Sequence, residues 1–424
     1  MKKYIYRILD DELKELFLQL PAISIEGAKG VGKTETAKRQ AETIYELDDA
    51  SVYELYKADP KRIIEGNKPI LIDEWQKVPQ TWDIIRRAVD TDSSPRQFIL
   101  AGSATPSREP THSGAGRIIT LRMRPFSLAE RGIETPSVSL KDFIRGKISD
   151  CTGETDITIK DYTKEILKSG FPGIRLYEGR ALREHLNSYI ARIVDKDFKQ
   201  MGRNIRKPHS LKRWMTAYAA ATATTATYET IRDAATAGQA DKPSKDTTRP
   251  YREILEKLWI VEQQPAWLPT RNQFSRLSKP PKHHLVDPAL AARLLGVGFN
   301  ALLNGEVPDP VIPRNGTLLG HLFESLVTLS IRTYAQPAEA EVKHLRTAEG
   351  RHEVDIILER DDHKIIAIEV KLGRTVEDDD VKHLLWLKEK MGDDLIDALI
   401  IHTGPRAYRR KDGIAVVPAV LLGP

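Results

Sequence analysis

The octapeptide GAKGVGKT, Gly27 to Thr34, sets three glycines, a lysine and a threonine at the intervals of a Walker A loop. An apolar run, AISIEG, enters it, and a helical pattern, TETAKRQAETIYEL, leaves it. Backbone N–H groups at Gly27, Gly30 and Gly32 can then approach phosphate oxygens where a side chain would block them, aided by the helix N-terminus. Lys33 reaches the β- and γ-phosphates and Thr34 offers a hydroxyl to Mg²⁺, which predicts ATP as the ligand. A second stretch, ILIDEWQ, buries three apolar residues and delivers Asp73 and Glu74 to the end of a strand. Asp73 suits Mg²⁺ held through water, and Glu74 suits polarising the attacking water. In ILAGSAT, Ser103 stands at the tip of the next strand, placed either to sense the γ-phosphate or simply to cap a loop. Arg117, in HSGAGRI, precedes a further strand and is either a cation for a neighbour's γ-phosphate or a solvated surface arginine.

Chemistry of a second kind is written near the other end. In HEVDIIL and IAIEVK, Glu369 and Lys371 are two apart and share one face of a strand, beside a strand carrying Asp355. Carboxylates gathered this way repel unless a cation joins them. The pattern resembles that of PD-(D/E)XK nucleases. The resemblance implies Asp355 and Glu369 as Mg²⁺ ligands, Lys371 as the residue orienting water or steadying phosphorane charge, and Glu324 in GHLFESLV as an added acidic ligand. His383 is a further candidate for phosphate contact. An exposed cross-strand charge face, or a scaffold that binds DNA without cutting it, would leave the same pattern.

These residues need elements to hold them. A chain of 424 residues exceeds the ~250–300 at which single cores stop growing, so several domains are expected. With 40% hydrophobic and 29% charged residues, no apolar run of spanning length and a charged N-terminus, the composition predicts a cytoplasmic protein without a membrane segment. A single cysteine excludes an intramolecular disulfide framework, and a net charge of +5 permits a polyanionic partner without demanding one. The fold class read from the pattern is α/β. Around the Walker motifs, 1–131 alternates short apolar runs with amphipathic stretches, 132–200 reads as mostly helical, 201–270 suits a helix-turn-helix with a wing, and 271–424 has α-β-β-β-α-β order. Pro250 fits the TTRPYREILEKL helix in its first turn.

Together IEGAKGVGKTETAK, LIDEWQ, ILAGSATP, HSGAGRI with LRMRPFSLAE, SGFPG, RIVDKD, KHHLVDPAL and EVDIILE…IAIEVKLG resemble AAA+ ATPases, specifically a prokaryotic family pairing that module with a C-terminal domain of unknown function. The resemblance covers nearly the whole chain. It implies a 51432 strand order, a helical lid, a winged-helix region and a homo-oligomeric, hexameric ring in which Arg117 acts in trans.

Two stretches lack acidic residues and are rich in bases: Lys199, Arg203, Arg206, Lys207, Lys212 and Arg213, then Arg271, Arg276, Lys279 and Lys282. Such runs are solvated faces or phosphate contacts. A helix-turn-helix with a wing would add Lys245, Thr248, Arg249 and Arg252 as DNA-facing residues, although the same module also docks proteins. The resulting expectation is an ATPase that moves or remodels duplex or branched DNA, with a C-terminal domain that binds or cleaves it. The alternatives are a nucleotide-gated regulatory or defence switch with a non-cutting DNA-binding domain, and a protein-remodelling ATPase.

Overall fold

In a computed structural model the described residues are 4–103, 115–147, 151–198, 208–236, 245–269, 279–304, 317–347 and 350–424, with the side chains of 245–247 outside the description. The N-terminal sheet is built from β1 (Ala22–Glu26), β2 (Thr43–Glu46), β3 (Ile70–Asp73), β4 (Phe98–Gly102) and β5 (Ile118–Arg122), all parallel. Their order across the sheet is β5-β1-β4-β3-β2, the expected 51432 arrangement. The run ILID of β3 and the run FILAG of β4 are buried throughout, as in central strands covered on both faces.

The edge strand β2 departs from expectation. The helix after the P-loop was expected to run through TETAKRQAETIYEL, yet it spans only Lys33–Lys38, and TIYE pairs with β3 instead. Thr43, Ile44 and Tyr45 lose side-chain freedom in a helix and suit a half-covered pleat, so their β preference prevails once β3 offers an edge.

Three helices, Pro208–Ala220, Tyr228–Thr236 and Lys245–Lys257, follow the helical segment that ends at Asp197. The third begins early enough that Pro250 lies in its second turn rather than its first. An antiparallel pair of bridges, Val261 with Leu285 and Gln264 with Lys282, closes this region, and Thr222 bridges His283 on the other side.

Among the described residues the C-terminal sheet contains eight strands: β7 (Gly153–Glu154), β8 (Ala266–Trp267), β9 (Glu341–Arg346), β10 (Glu353–Glu359), β11 (Ile365–Val370), β12 (Leu395–His402), β13 (Arg406–Arg409) and β14 (Ala415–Pro418). They lie in the order β7-β13-β14-β12-β11-β10-β9-β8. A separate parallel pair joins β6 (Val138–Ser139) to β15 (Leu422–Gly423). Because β7 and β8 come from earlier segments, this sheet crosses the expected boundary at residue 271. The helix Leu318–Ala335 shares a core with Ile356, Leu358, Ile366 and Ile368, while Val381, Leu384 and Leu387 of the helix Asp378–Met391 pack with Ile357, Ile365 and Ala367. The predicted α-β-β-β-α-β order is therefore present. The register of β10 against β9 shifts between Val354 and Ile357, a bulge beside Asp355 of the kind that re-aims a side chain.

Candidate functional site

The P-loop leaves β1 at Gly27. A Cβ there would stand 2.2 Å from the Met123 carbonyl oxygen, so no larger residue fits. Gly30 and Gly32 take φ of 84° and 107°, a region that favours glycine. Lys33 is buried and donates to the carbonyls of Gly27 at 2.8 Å and Ala28 at 3.1 Å. Burial lowers its pKa to about 8, opposed by Glu74 and Asp73. The Thr34 hydroxyl donates to both Asp73 carboxylate oxygens, at 3.0 and 2.9 Å, and burial raises Asp73 to about 6.

Glu74 follows β3 in a left-handed conformation, φ 52°. Its Oε2 accepts from Gln76 Nε2 and, at a long 3.4 Å, from the Ser103 hydroxyl. The structure thus brings Gly27, Gly30, Gly32, Lys33, Thr34, Asp73, Glu74 and Ser103 to the C-terminal end of one parallel sheet, where α/β folds bind their ligands. The donor set fits ATP with Mg²⁺. Lys33 holds only exchangeable main-chain acceptors that phosphate oxygens can replace, and Thr34 and Asp73 form a hydroxyl–carboxylate pair suited to Mg²⁺. Thr34 and Asp73 would hold the metal, which would supply positive charge to offset that of the triphosphate.

Arg117 lies elsewhere. Ala22 opposes Ile118 and Glu26 opposes Arg122, so Arg117 stands at the opposite end of the sheet, about 20 Å along the strands from the start of its own P-loop at Gly27. It donates to Asp90 at 2.8 Å.

Several residues near the loop carried no assignment from sequence. Arg7 donates to the Val31 carbonyl at 2.8 Å and to Glu130 at 2.9 Å. The Tyr189 hydroxyl donates to the Lys29 carbonyl at 2.9 Å. The SGFPG turn brings Phe171 and Pro172 against Gly30 and Gly32, and Asp287 holds that turn by accepting from Ser169 Oγ at 2.6 Å and Gly170 N–H at 2.7 Å. An Asp-Pro pair in the sequence is a helix-start signal, and Asp287 does cap the helix Pro288–Leu294; its grip on the SGFPG turn has no local signal. At the end of β5, the Arg122 guanidinium lies 3.6 Å from the centre of the Trp259 ring, tying the sheet to the middle region.

The second cluster does not have the predicted form. Asp355, Glu369, Lys371 and Glu324 do come together, but around Lys282. Its ammonium lies 2.8 Å from Glu324 Oε1, 2.8 Å from Asp355 Oδ1 and 3.4 Å from Glu353 Oε1. Lys282, expected to face DNA, is almost wholly buried, at 1% exposure. Two of its donors meet Glu324 and Asp355, and Glu353 stands within ion-pair distance. Asp355 Oδ2 accepts from the Val370 N–H at 2.9 Å, and Lys371 pairs with Glu369 Oε2 at 3.3 Å. Opposing the effect of burial, the Lys282 ammonium beside Asp355 holds that carboxylate down at about 2. Burial, with the charge of Asp355, raises Glu324 to about 8 and Glu369 well above the usual range. Glu369 Oε1 is buried without a donor. The Glu369 and Asp355 carboxyl groups lie side by side, and with Lys282 in place no group of three or more acidic, histidine or cysteine side chains among the described residues is arranged to hold a metal. His383 instead lies 3.4 Å from His352, Nδ1 to Nδ1, and His352 stacks on Trp386.

Of the expected DNA contacts, Lys212 is exposed, Arg213 and Lys279 are half-buried, and Thr248 is described as part of the third helix. Arg249 pairs with Glu253 at 2.7 Å, and Arg252 lies over Tyr228. Lys199, Arg203, Arg206, Lys207, Arg271, Arg276 and the Lys245 side chain lie outside the described residues. No helix among the described residues is long and apolar enough to cross a membrane.

Residues 19–131 match an AAA domain, residues 159–301 match a domain of unknown function (DUF8612), and residues 319–422 match another (DUF4143). The uncharacterized protein Rv2008c of Mycobacterium tuberculosis is 22% identical over 292 residues, covering 67% of this chain, and the uncharacterized protein Mb2031c of Mycobacterium bovis matches at the same figures. The chain spans 58% of the length of these relatives. Among solved structures, the Walker-type ATPase PABY2304 of Pyrococcus abyssi is 15% identical, with 67% of this chain and 94% of that one covered and a TM-score of 0.39. The RuvB Holliday junction branch migration motor of Thermotoga maritima is 16% identical, with 62% and 90% covered and a TM-score of 0.26. The AAA match coincides with the P-loop sheet, and with the arrangement of Lys33, Thr34, Asp73 and Glu74 it supports ATPase activity in the N-terminal domain.

Proposed function

We propose that this chain is a Mg²⁺-dependent AAA+ ATPase that binds DNA and couples hydrolysis to moving or remodelling duplex or branched DNA, working as a homo-oligomeric, hexameric ring. The carrying observation is the assembly of Lys33, the Thr34–Asp73 pair, Glu74 and Ser103 at one end of the 51432 sheet. Lys33 and the loop amides orient the triphosphate, Thr34 and Asp73 would hold Mg²⁺, and Glu74 accepts the proton of the attacking water as its oxygen bonds to the γ-phosphorus and the bond from that phosphorus to the β–γ bridging oxygen breaks, releasing ADP and phosphate. Arg117, remote from its own loop, supports a role toward a neighbouring copy.

Coupling to DNA is supported by what the ATPase domain touches. Arg124, just past β5, pairs with Glu262 at 2.6 Å, and Glu262 belongs to the segment following the third helix. The N–H groups of Leu128 and Ala129 donate to Ser330 and Tyr334 on the long helix that also carries Glu324. A change at the P-loop end of β5 therefore bears directly on both the middle region and the C-terminal domain. Lys212 and Arg249 give the middle region exposed bases for phosphate contact.

The test is an ATPase measurement with no DNA and with linear, forked and four-way DNA. Stimulation by at least one architecture, lost in Lys33→Ala, is expected. A rate indifferent to all of them removes DNA from the reading. A nucleotide-gated switch with a non-cutting C-terminal domain is the second reading, and the saturation of Asp355 and Glu324 by Lys282 favours it; single-turnover hydrolysis without DNA movement would select it.

A further inference from the structure

We propose that the Lys282 ammonium is the built-in cation of the C-terminal acidic cluster, standing in place of a divalent metal and leaving the cluster unable to take Mg²⁺ or Mn²⁺. The inference is independent of the ATPase reading and rests on geometry. Nζ lies 2.8 Å from both Glu324 Oε1 and Asp355 Oδ1, the two oxygens that a metal shared by the helix and β10 would bridge. Mg²⁺ holds its oxygen ligands at about 2.1 Å. An ion bridging this pair would either overlap the ammonium or sit directly against its charge.

The lysine is also held from its backbone. Lys282 and Gln264 exchange both main-chain hydrogen bonds at 2.9 Å, and Gln264 Nε2 donates to the carbonyls of Lys343 at 2.8 Å and Asp355 at 2.9 Å. His344 Nε2 donates to the Pro280 carbonyl two residues earlier, at 3.2 Å. Swinging the side chain out would leave the buried Glu324 and the partly buried Asp355 without their counter-charge. Glu353 adds a third carboxyl group at ion-pair distance, 3.4 Å from the ammonium.

The experiment is a Mn²⁺ titration of the nucleotide-free full chain, with bound metal read from loss of the free-ion electron paramagnetic resonance signal. The proteins compared are wild type, Asp355→Asn, Lys282→Ala and Lys282→Ala/Asp355→Asn. Wild type and Asp355→Asn are expected to bind equally, while Lys282→Ala gains about one site that the double variant loses. A wild-type site that disappears in Asp355→Asn overturns the proposal, as does a folded Lys282→Ala protein that gains none. If Lys282→Ala does not fold, the comparison of wild type with Asp355→Asn still decides: equal binding supports the proposal and loss of a site refutes it.

Discussion

Two buried lysines define the two polar centres of this molecule, and their partners differ in kind. Lys33 donates to two main-chain carbonyls, neutral acceptors that phosphate oxygens can replace without stranding a charge. Lys282 donates to carboxylates, and removing it leaves like charges facing one another away from water. Burial lowers the pKa of Lys33 to about 8, whereas Asp355, Glu324 and Glu353 raise that of Lys282 well above its ordinary value against the effect of burial. A lysine underbound in the resting protein is prepared for a ligand; a lysine saturated by its own chain is part of the framework. A motif that collects the right residue types does not show which of these it has built.

The largest expected effect separates the two lysines by function. Lys33→Ala should lower the ATPase rate by at least ~10²-fold, the scale of losing a positioned charge-stabilising donor, with little change in folding. Lys282→Met should show the reverse, costing roughly 3–5 kcal/mol of stability as a broken buried pair does, read from denaturant unfolding. A Lys282→Met protein as stable as wild type would contradict the framework role.

A pH series sharpens the comparison. Glu324 has a folded pKa raised to about 8, above its unfolded value, so its contribution to stability is complete below the unfolded pKa and is lost as pH rises through about 8. Stability should therefore fall by up to about 1.4 kcal/mol per pH unit between about pH 5 and 8 and level off above 8, and Glu324→Gln should flatten that slope in thermal unfolding from pH 5 to 9. The Asp355 contribution runs the other way: its pKa is held down at about 2, so it is present at neutral pH and lost on strong acidification.

The smallest effect belongs to the helix Gly179–Arg192. Tyr189→Phe removes the hydrogen bond to the Lys29 carbonyl and should raise the KM for ATP a few-fold, in keeping with about 1 kcal/mol, while kcat is nearly kept. An unchanged KM would place Tyr189 outside the nucleotide response.

The contrast between the centres also explains what the sequence could disclose. The P-loop site is local: glycines at fixed spacing, a buried run ending in Asp-Glu and a strand tip at Ser103 each sit on one element, and strand order does the rest. β2 was hidden because a six-residue helix gives way within a pattern that continues to suit a longer one. Lys282 was hidden for a different reason. It belongs to a run with Arg271, Arg276 and Lys279, where each base looks equally solvated. Only the ladder between Lys282 and Gln264, with partners 42 and 73 positions away, turns this one inward. Its place immediately before the buried run HHLVDPAL was the one available hint.

Counting Mn²⁺ bound per full-length chain, with and without a non-hydrolysable ATP analogue, tests the central contrast most directly. The account predicts one metal per chain that requires the analogue and vanishes in Lys33→Ala. A metal bound equally well without the analogue, and lost in Asp355→Asn, would contradict it.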